Sequence, residues 1–310
     1  MIIDHIDKSV DRFLKELAKN NNKLYDLLLN ELSKHTSRGR LIINKEALAE
    51  LDSVIRKNII ASGYQDNVNK LFIDLSKLIE LNGFWYKNII NDYSSLIKKS
   101  DVIPMYLDKM SYYLRGGGAS YNIVRPLEEI FRENIMLGRG YVEVQNKLIS
   151  RLNESDNPTI KYAKQVAYDG MMQYNGAINE QVRVAHDLEW FYYVGSEIET
   201  TRPICAHIRD NYAKAIHKSE LVKILDEFAP DGIPSKVLIT YETVNGKIIT
   251  TNKGHGIYKN TMPENFTILR GGYNCRHDVK WTRNPTSGGK NIDRVQTERD
   301  LQNLLNIMKA

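Results

Sequence analysis

Residues 158–194 read PTIKYAKQVAYDGMMQYNGAINEQVRVAHDLEWFYYV, and the residue pattern changes within this stretch. Up to Ala185, apolar side chains recur at the three- and four-residue spacing of one helical face. Residues 190–194 are instead aromatic or β-branched, which is typical of a strand. Pro158 fits the first turn of a helix, where a missing N–H costs nothing. The sequence therefore predicts a long helix from Pro158 to Ala185 and then a strand that begins with Trp190.

The chain before this helix also has helical periodicity. Apolar residues follow one helical face from Ile6 to Leu17, another from Leu24 to Leu32, and a third from Val68 to Ile79. We expect the run at 20–22, three asparagines, to separate the first two helices, and the three glycines at 116–118 to break another. The N-terminal region is thus predicted to be mainly helical.

Strand and turn signals prevail after residue 190. The apolar, β-branched segments 237–243 and 247–250 flank Asn245-Gly246, a pair that tolerates the positive φ of a tight turn, so we predict a β-hairpin. Residues 285–289 have the composition of a linker, and Asn291 can cap a final helix.

These patterns predict an α+β fold with three parts. A helical docking region covers residues 1–186, a small α+β module with a β-hairpin covers 187–285, and a linker with a C-terminal helix covers 286–310.

The composition of the chain excludes several classes of protein. The 310 residues are 42% hydrophobic and 26% charged, which is ordinary for a globular protein and unlike a disordered chain. No apolar run approaches the roughly 18–20 residues of a membrane span, and we expect no secretory signal at the N-terminus. Two cysteines rule out a disulfide scaffold and favour a reducing compartment.

The net charge of +5 lies at one end of the chain. The last sixty residues hold 10 basic and 5 acidic residues, whereas the first 250 hold 33 of each. A basic segment of this kind can meet phosphate or an acidic protein surface, and it can equally be a solvated surface without a partner.

Two short clusters supply candidate metal ligands. Cys205 and His207 form the first, and Cys275 and His277 the second. Thiolate and imidazole together suit zinc. A strand would place Cys275 and His277 on one face, whereas a helix would separate Cys205 from His207 by about 200°. His255 or a carboxylate could complete the set, and a buried thiol pair or a disulfide remain alternatives.

Basic and aromatic residues alternate around the second cluster, near Tyr273 and Trp281. Such a mixture is typical of a nucleic-acid surface, and a strand with one buried and one solvated face has the same pattern. The candidate nucleic-acid-binding residues are Arg270, Arg276, Lys280 and Arg283.

The same clusters carry a resemblance to a known family. Val194-Gly195-Ser196, Thr201-Arg202-Pro203-Ile204-Cys205 and Gly271-Gly272-Tyr273-Asn274-Cys275-Arg276-His277 resemble the C-terminal module of the Mu F-like phage minor head proteins, also called phage head morphogenesis proteins. The resemblance covers residues 120–285 and includes the strand that begins with Trp190. It marks Trp190, Arg202, Gly271 and Gly272 as motif residues, while Ile198 stands where the family has Asp.

The resemblance implies a virion protein. Such a protein lies inside the phage head after passing through the host cytoplasm during assembly, binds the portal protein, and contacts capsid or scaffold proteins. It acts in head morphogenesis, and packaged double-stranded DNA is a further, non-specific partner through packaging or ejection. On this interpretation the protein is not an enzyme, and zinc is the one candidate cofactor.

An enzyme of another class is the alternative. The chain contains neither H-E-x-x-H nor G-x-S-x-G, and its triple glycine does not continue as a P-loop. A zinc-dependent nuclease or toxin-like domain would instead use Cys205, Cys275 and His277 as ligands and His207 or Glu199 as general base. A catalytic metal would be open to water, whereas a structural centre would bury its cysteines.

Overall fold

The computed structural model describes residues 2–41, 45–87, 89–137, 139–154, 157–195, 201–212, 215–230, 239–244, 247–252, 257–272 and 275–283. Within these ranges the chain is mostly helical and has one small three-stranded antiparallel sheet, so the predicted α+β fold class is confirmed. The predicted linker and C-terminal helix lie outside the described residues.

The helices and strands follow one another in a simple order. The helices are α1 (Ile2–Lys34), α2 (Lys45–Ala61), α3 (Tyr64–Tyr86), α4 (Tyr93–Lys98), α5 (Val102–Arg115), α6 (Gly117–Ala119, continued by a π-helical turn at Ser120–Val124), α7 (Arg125–Met136), α8 (Tyr141–Leu152), α9 (Pro158–Ala185), α10 (Pro203–Asn211), α11 (Glu220–Phe228) and α12 (Phe266–Leu269). The strands are β1 (Thr36–Ser37), β2 (Arg40–Leu41), β3 (Trp190–Val194), β4 (Ile216–His217), β5 (Ile239–Val244), β6 (Lys247–Asn252) and β7 (Asp278–Thr282). None of the helices in the described part of the chain is both long enough and apolar enough to cross a membrane.

Helix α1 is continuous, so the predicted break at the three asparagines is wrong. The side-chain amide of Asn21 is buried and donates to the carbonyl of Leu152 at 3.2 Å, and that of Asn20 donates to Ser62 O at 2.9 Å. Asparagine disfavours helices because its side chain competes for nearby backbone groups. In α1 the amides of Asn20 and Asn21 bond to backbone carbonyls of other segments, so they do not compete for the hydrogen bonds of their own helix.

The chain forms two compact units that interrupt one another in sequence. The helical unit contains residues 7–76 and 107–170, and the sheet unit contains residues 1–6, 77–106 and 171–310. This division does not coincide with the boundary predicted at residue 186. Helix α9 contributes residues to both units, and its apolar periodicity gives no signal at the point where its packing partners change.

The three-stranded sheet has the order β4-β3-β7, and both pairings are antiparallel. In β3 and β7, Phe191 lies opposite Trp281 and Tyr193 opposite Val279. The rings of Phe191 and Trp281 lie 5.1 Å apart, and both side chains are buried. All five residues of β7 are buried, so this strand has no solvated face.

Strands β5 and β6 pair antiparallel from Ile239 opposite Asn252 to Val244 opposite Lys247. The predicted hairpin is therefore confirmed, although its turn residues, Asn245 and Gly246, lie outside the described residues.

Candidate metal centre

Two cysteines that are 70 positions apart in sequence meet in the sheet unit. Cys205 lies in the first turn of α10, which Pro203 begins, and Cys275 lies just before β7. Both are free thiols that are almost fully buried, at 2% and 3% exposure. Their Sγ atoms are 3.8 Å apart, which is too long for a disulfide of about 2.05 Å.

His277 completes a group of three potential ligands. Its Nδ1 atom lies 3.8 Å from Cys275 Sγ, and one ligand atom from each of Cys205, Cys275 and His277 lies within 4.8 Å of the others. His277 is buried, and its Nε2 atom has no hydrogen-bond partner among the described residues. Buried polar atoms without partners are rare and commonly accompany a bound ion or water.

Tyr193 on β3 adds a hydroxyl group that the sequence analysis did not identify. Its oxygen lies 3.2 Å from Cys205 Sγ and 3.6 Å from Cys275 Sγ. Its ring stacks on the His277 imidazole, with centroids 4.9 Å apart and an interplanar angle of 5°. The only signal in the sequence was the alternation of β3, which directs Tyr193 and Phe191 to the same side.

Two glycines allow the chain to approach these side chains. A Cβ atom at Gly271 would lie 2.4 Å from Cys205 Sγ and 3.0 Å from Cys275 Sγ. A Cβ atom at Gly195 would lie 2.6 Å from Cδ2 of His277. Gly272 has a φ of +92°, a conformation that favours glycine. Gly271 and Gly195 of the sequence motif therefore adjoin the centre, and Gly271 lets the backbone lie against both sulfur atoms.

The electrostatic surroundings favour one thiolate in the cysteine pair. The hydrogen bond with Cys205 lowers the pKa of Cys275, with further lowering by His277 and the positive charge of Arg270. The same hydrogen bond, together with burial, raises the pKa of Cys205. Burial and the two neighbouring cysteines also raise the pKa of Tyr193. Of the two cysteines, Cys275 is therefore the one whose surroundings favour the thiolate, the form that binds metals and accepts hydrogen bonds.

Two of the ligand separations fit a tetrahedral zinc ion. Two thiolates that bind zinc at about 2.3 Å with tetrahedral angles lie about 3.8 Å apart. The two sulfurs have that separation already, and His277 Nδ1 lies at the same distance from Cys275. Cys205, Cys275 and His277 would supply three ligands, and the hydroxyl of Tyr193, which lies 3.2 Å from Cys205 Sγ, would supply the fourth.

His207 is the one predicted ligand that lies elsewhere. It follows Cys205 by two positions on α10, so its side chain points to another side of the helix. Its Nδ1 lies 4.0 Å from a carboxylate oxygen of Glu227, and its ring contacts Phe228 with centroids 5.2 Å apart. We therefore remove His207 from the ligand set. His255 and Glu199 lie outside the described residues.

The predicted nucleic-acid-binding residues divide into two pairs. Arg276 and Arg283 are exposed, but Arg270 and Lys280 are buried at 2% and 5% exposure. Arg270 donates to the carbonyl of Met172 at 2.7 Å, and Lys280 forms an ion pair within the sheet unit. Arg270 and Lys280 are thus wrong as surface residues, because both side chains are engaged inside the protein.

The other two motif residues have structural positions. Arg202 precedes α10 in an extended conformation, and its carbonyl accepts the backbone N–H of Ala206 at 2.9 Å. Trp190 begins β3, and its ring meets that of His217 edge to face, with centroids 5.0 Å apart.

No protein-family model, no curated protein and no solved structure matches the chain.

Proposed function

We propose that this protein is a phage minor head protein. It would be an interior component of the virion head that binds the portal protein and capsid or scaffold proteins and acts in head morphogenesis. One observation carries the proposal. The segments around Cys205 and Cys275, on which the resemblance to the Mu F-like family rests, meet at a distance of 3.8 Å between their sulfurs. The two segments that carry the resemblance, although 70 positions apart in sequence, thus lie side by side in one module.

Within this proposal the cysteine centre has a structural function. It joins β3, α10 and the segment before β7, which are far apart in sequence, and its three ligands are buried. Structural zinc sites are closed, whereas catalytic ones keep a position open to solvent. The burial of all three ligands therefore favours a zinc ion that stabilises the module over one that activates water.

The position of His207 also argues against a nuclease that would use this residue as its general base. A zinc-dependent hydrolase needs a general base near its metal-bound water. The candidate base His207 is instead turned toward Glu227 and Phe228.

Zinc analysis of the purified protein tests the function of the centre. We expect about one zinc ion per chain, and we expect the variant Cys275→Ser to lose it because one of the two thiolate ligands is then missing. The matched control is His207→Ala, which should keep its zinc. Wild-type protein that is folded but free of zinc after expression in zinc-containing medium would contradict a metal centre.

Co-sedimentation with phage assembly intermediates tests the head assignment. The tagged chain would be produced in cells in which the phage that encodes it is assembling, and DNA-free procapsids would be purified. We expect the chain to sediment with procapsids and to resist added protease until they are opened. A chain that stays entirely in the soluble fraction while procapsids form would overturn the proposal.

A further inference from the structure

A second group of buried polar side chains lies in the sheet unit, outside the cysteine centre. Lys280 Nζ and Asp278 Oδ2 on β7 form an ion pair at 2.9 Å, and their side chains are 6% and 2% exposed. Residues of α3 and α9 surround the pair and supply amide and hydroxyl groups. They are Asn82, Tyr86, Asn175 and Asn179.

Three of these groups act on the carboxamide of Asn179. Lys280 Nζ lies 3.1 Å from its Oδ1 atom, and the hydroxyl of Tyr86 donates to the same oxygen at 2.8 Å. On the other side, Asn179 Nδ2 donates to Asp278 Oδ1 at 3.0 Å. An amine, a donor to the carbonyl oxygen and an acid–base group beside the nitrogen are the components of amide transfer.

A proton can pass between the two members of the ion pair, because Lys280 Nζ lies 2.9 Å from Asp278 Oδ2. Burial lowers the pKa of Lys280, although the nearby carboxylate of Asp278 opposes this effect. In a medium of low polarity, transfer of one proton from the ammonium to the carboxylate removes two buried charges. The product is a free amine, which is a nucleophile, next to a carboxylic acid, which can donate a proton.

We propose that Lys280 and Asn179 form an intramolecular isopeptide bond. The lone pair of Nζ attacks Cγ of Asn179, and negative charge develops on Oδ1, where Tyr86 stabilises it. Asp278, which has taken one proton from Lys280, gives a proton to Nδ2 and then accepts the second proton from Nζ. The Nζ–Cγ bond forms, the Cγ–Nδ2 bond breaks, ammonia leaves, and Asp278 ends as the neutral acid.

The surroundings of the two asparagines nearest to Lys280 select Asn179. Lys280 also bonds to Oδ1 of Asn82, but Nδ2 of Asn82 donates to Leu78 O at 2.7 Å and to Asn175 Oδ1 at 2.8 Å. Neither partner can protonate departing ammonia. Burial also keeps water away, so the amine is the nucleophile held beside the amide.

The bond would join the middle of α9 to β7 without using either cysteine. The inference rests on this geometry alone and does not depend on the proposed head function.

Mass spectrometry of the intact, purified full-length protein tests the bond. Loss of ammonia lowers the mass by about 17 Da relative to the sequence. Succinimide formation at Asn245-Gly246 would produce the same change, so a tryptic digest is needed. We expect a branched peptide that joins the fragments containing Asn179 and Lys280. Folded wild-type protein that yields both fragments separately would overturn the proposal, as would a branch at Asn82.

Two variants test the chemistry. Lys280→Arg removes the nucleophile and Asp278→Asn removes the proton carrier, so each should lose the branched peptide. The matched control is Asn82→Ala, which removes the competing amide and should retain the branched peptide. A branched peptide that persists in Asp278→Asn would contradict the proposed role of the carboxylate, and the wild-type digest decides for the bond itself if a variant fails to fold.

Discussion

The geometry of the cysteine centre depends on a glycine at position 271, because a side chain there would collide with the two sulfur atoms. Gly271 and Gly272 adjoin each other but have different functions. Gly272 adopts a positive φ, whereas Gly271, without a Cβ atom, lets the sulfur atoms of Cys205 and Cys275 pack against the backbone. The double glycine thus satisfies one requirement of the backbone and one of packing.

Replacing Gly271 by alanine should destabilise the protein and disturb the proposed zinc site. The new Cβ atom would lie 2.4 Å from Cys205 Sγ, and overpacking of a buried site costs about 1–3 kcal/mol. Urea unfolding and zinc analysis of Gly271→Ala measure the two effects. The control is Gly140→Ala, whose Cβ would meet nothing closer than a backbone oxygen at 4.0 Å. Equal unfolding midpoints for the two variants would show that the centre can expand freely.

Among the elements, α9 supplies hydrogen-bonding groups to two buried charged residues of the sheet unit, Asp278 and Arg270. The side-chain amides of Asn175 and Asn179 donate to the carboxylate of Asp278, and the carbonyl of Met172 accepts from Arg270. The two asparagines lie four positions apart and so share a helical face. Two asparagines at this spacing within an otherwise apolar helical face were the one signal in the sequence that could have predicted a buried polar partner for α9.

The N-terminus of α9 is fixed by Asn157, which the sequence analysis passed over in favour of Pro158. Its Oδ1 accepts the backbone N–H of Ile160 at 2.9 Å, and its Nδ2 donates to the carbonyls of Leu152 and Glu154. We expect Asn157→Ala to lower the free energy of unfolding by about 1–2 kcal/mol, since it removes a helix cap. Urea denaturation measures the loss, with the exposed Asn153 changed to alanine as control. A loss no larger than that of the control would mean that the cap contributes little.

For the whole molecule, the burial of Arg270 and Lys280 changes the expected salt dependence of DNA binding. Of the four candidate DNA-binding residues, Arg276 and Arg283 remain exposed. If the two arginines each neutralise one phosphate, affinity should fall with salt at a log–log slope of about −2, by the rule of about 0.9 per phosphate. With all four basic residues at the surface, the slope would approach about −4.

Fluorescence anisotropy with the full chain and duplexes of two unrelated sequences measures this slope. Arg276→Glu with Arg283→Glu should abolish the binding, and both duplexes should bind alike. Lys15→Glu with Lys57→Glu, at exposed positions of the helical unit, is the control of equal charge change. Binding that is lost in the control pair as well would reflect net charge alone, and tight sequence-selective binding would contradict a non-specific role.

Local patterns in the sequence determined the strand after α9, the hairpin around Asn245-Gly246 and the types of ligand at the two clusters. These features depend on neighbouring residues, whose spacing and turn chemistry can be read directly. Tertiary structure alone decided that α1 continues through its asparagines and that Arg270 and Lys280 are buried. It also brought Tyr193 to the sulfurs. The physical reason is that burial and long-range hydrogen bonds depend on segments far away in sequence, which can satisfy a polar group that locally appears to need water.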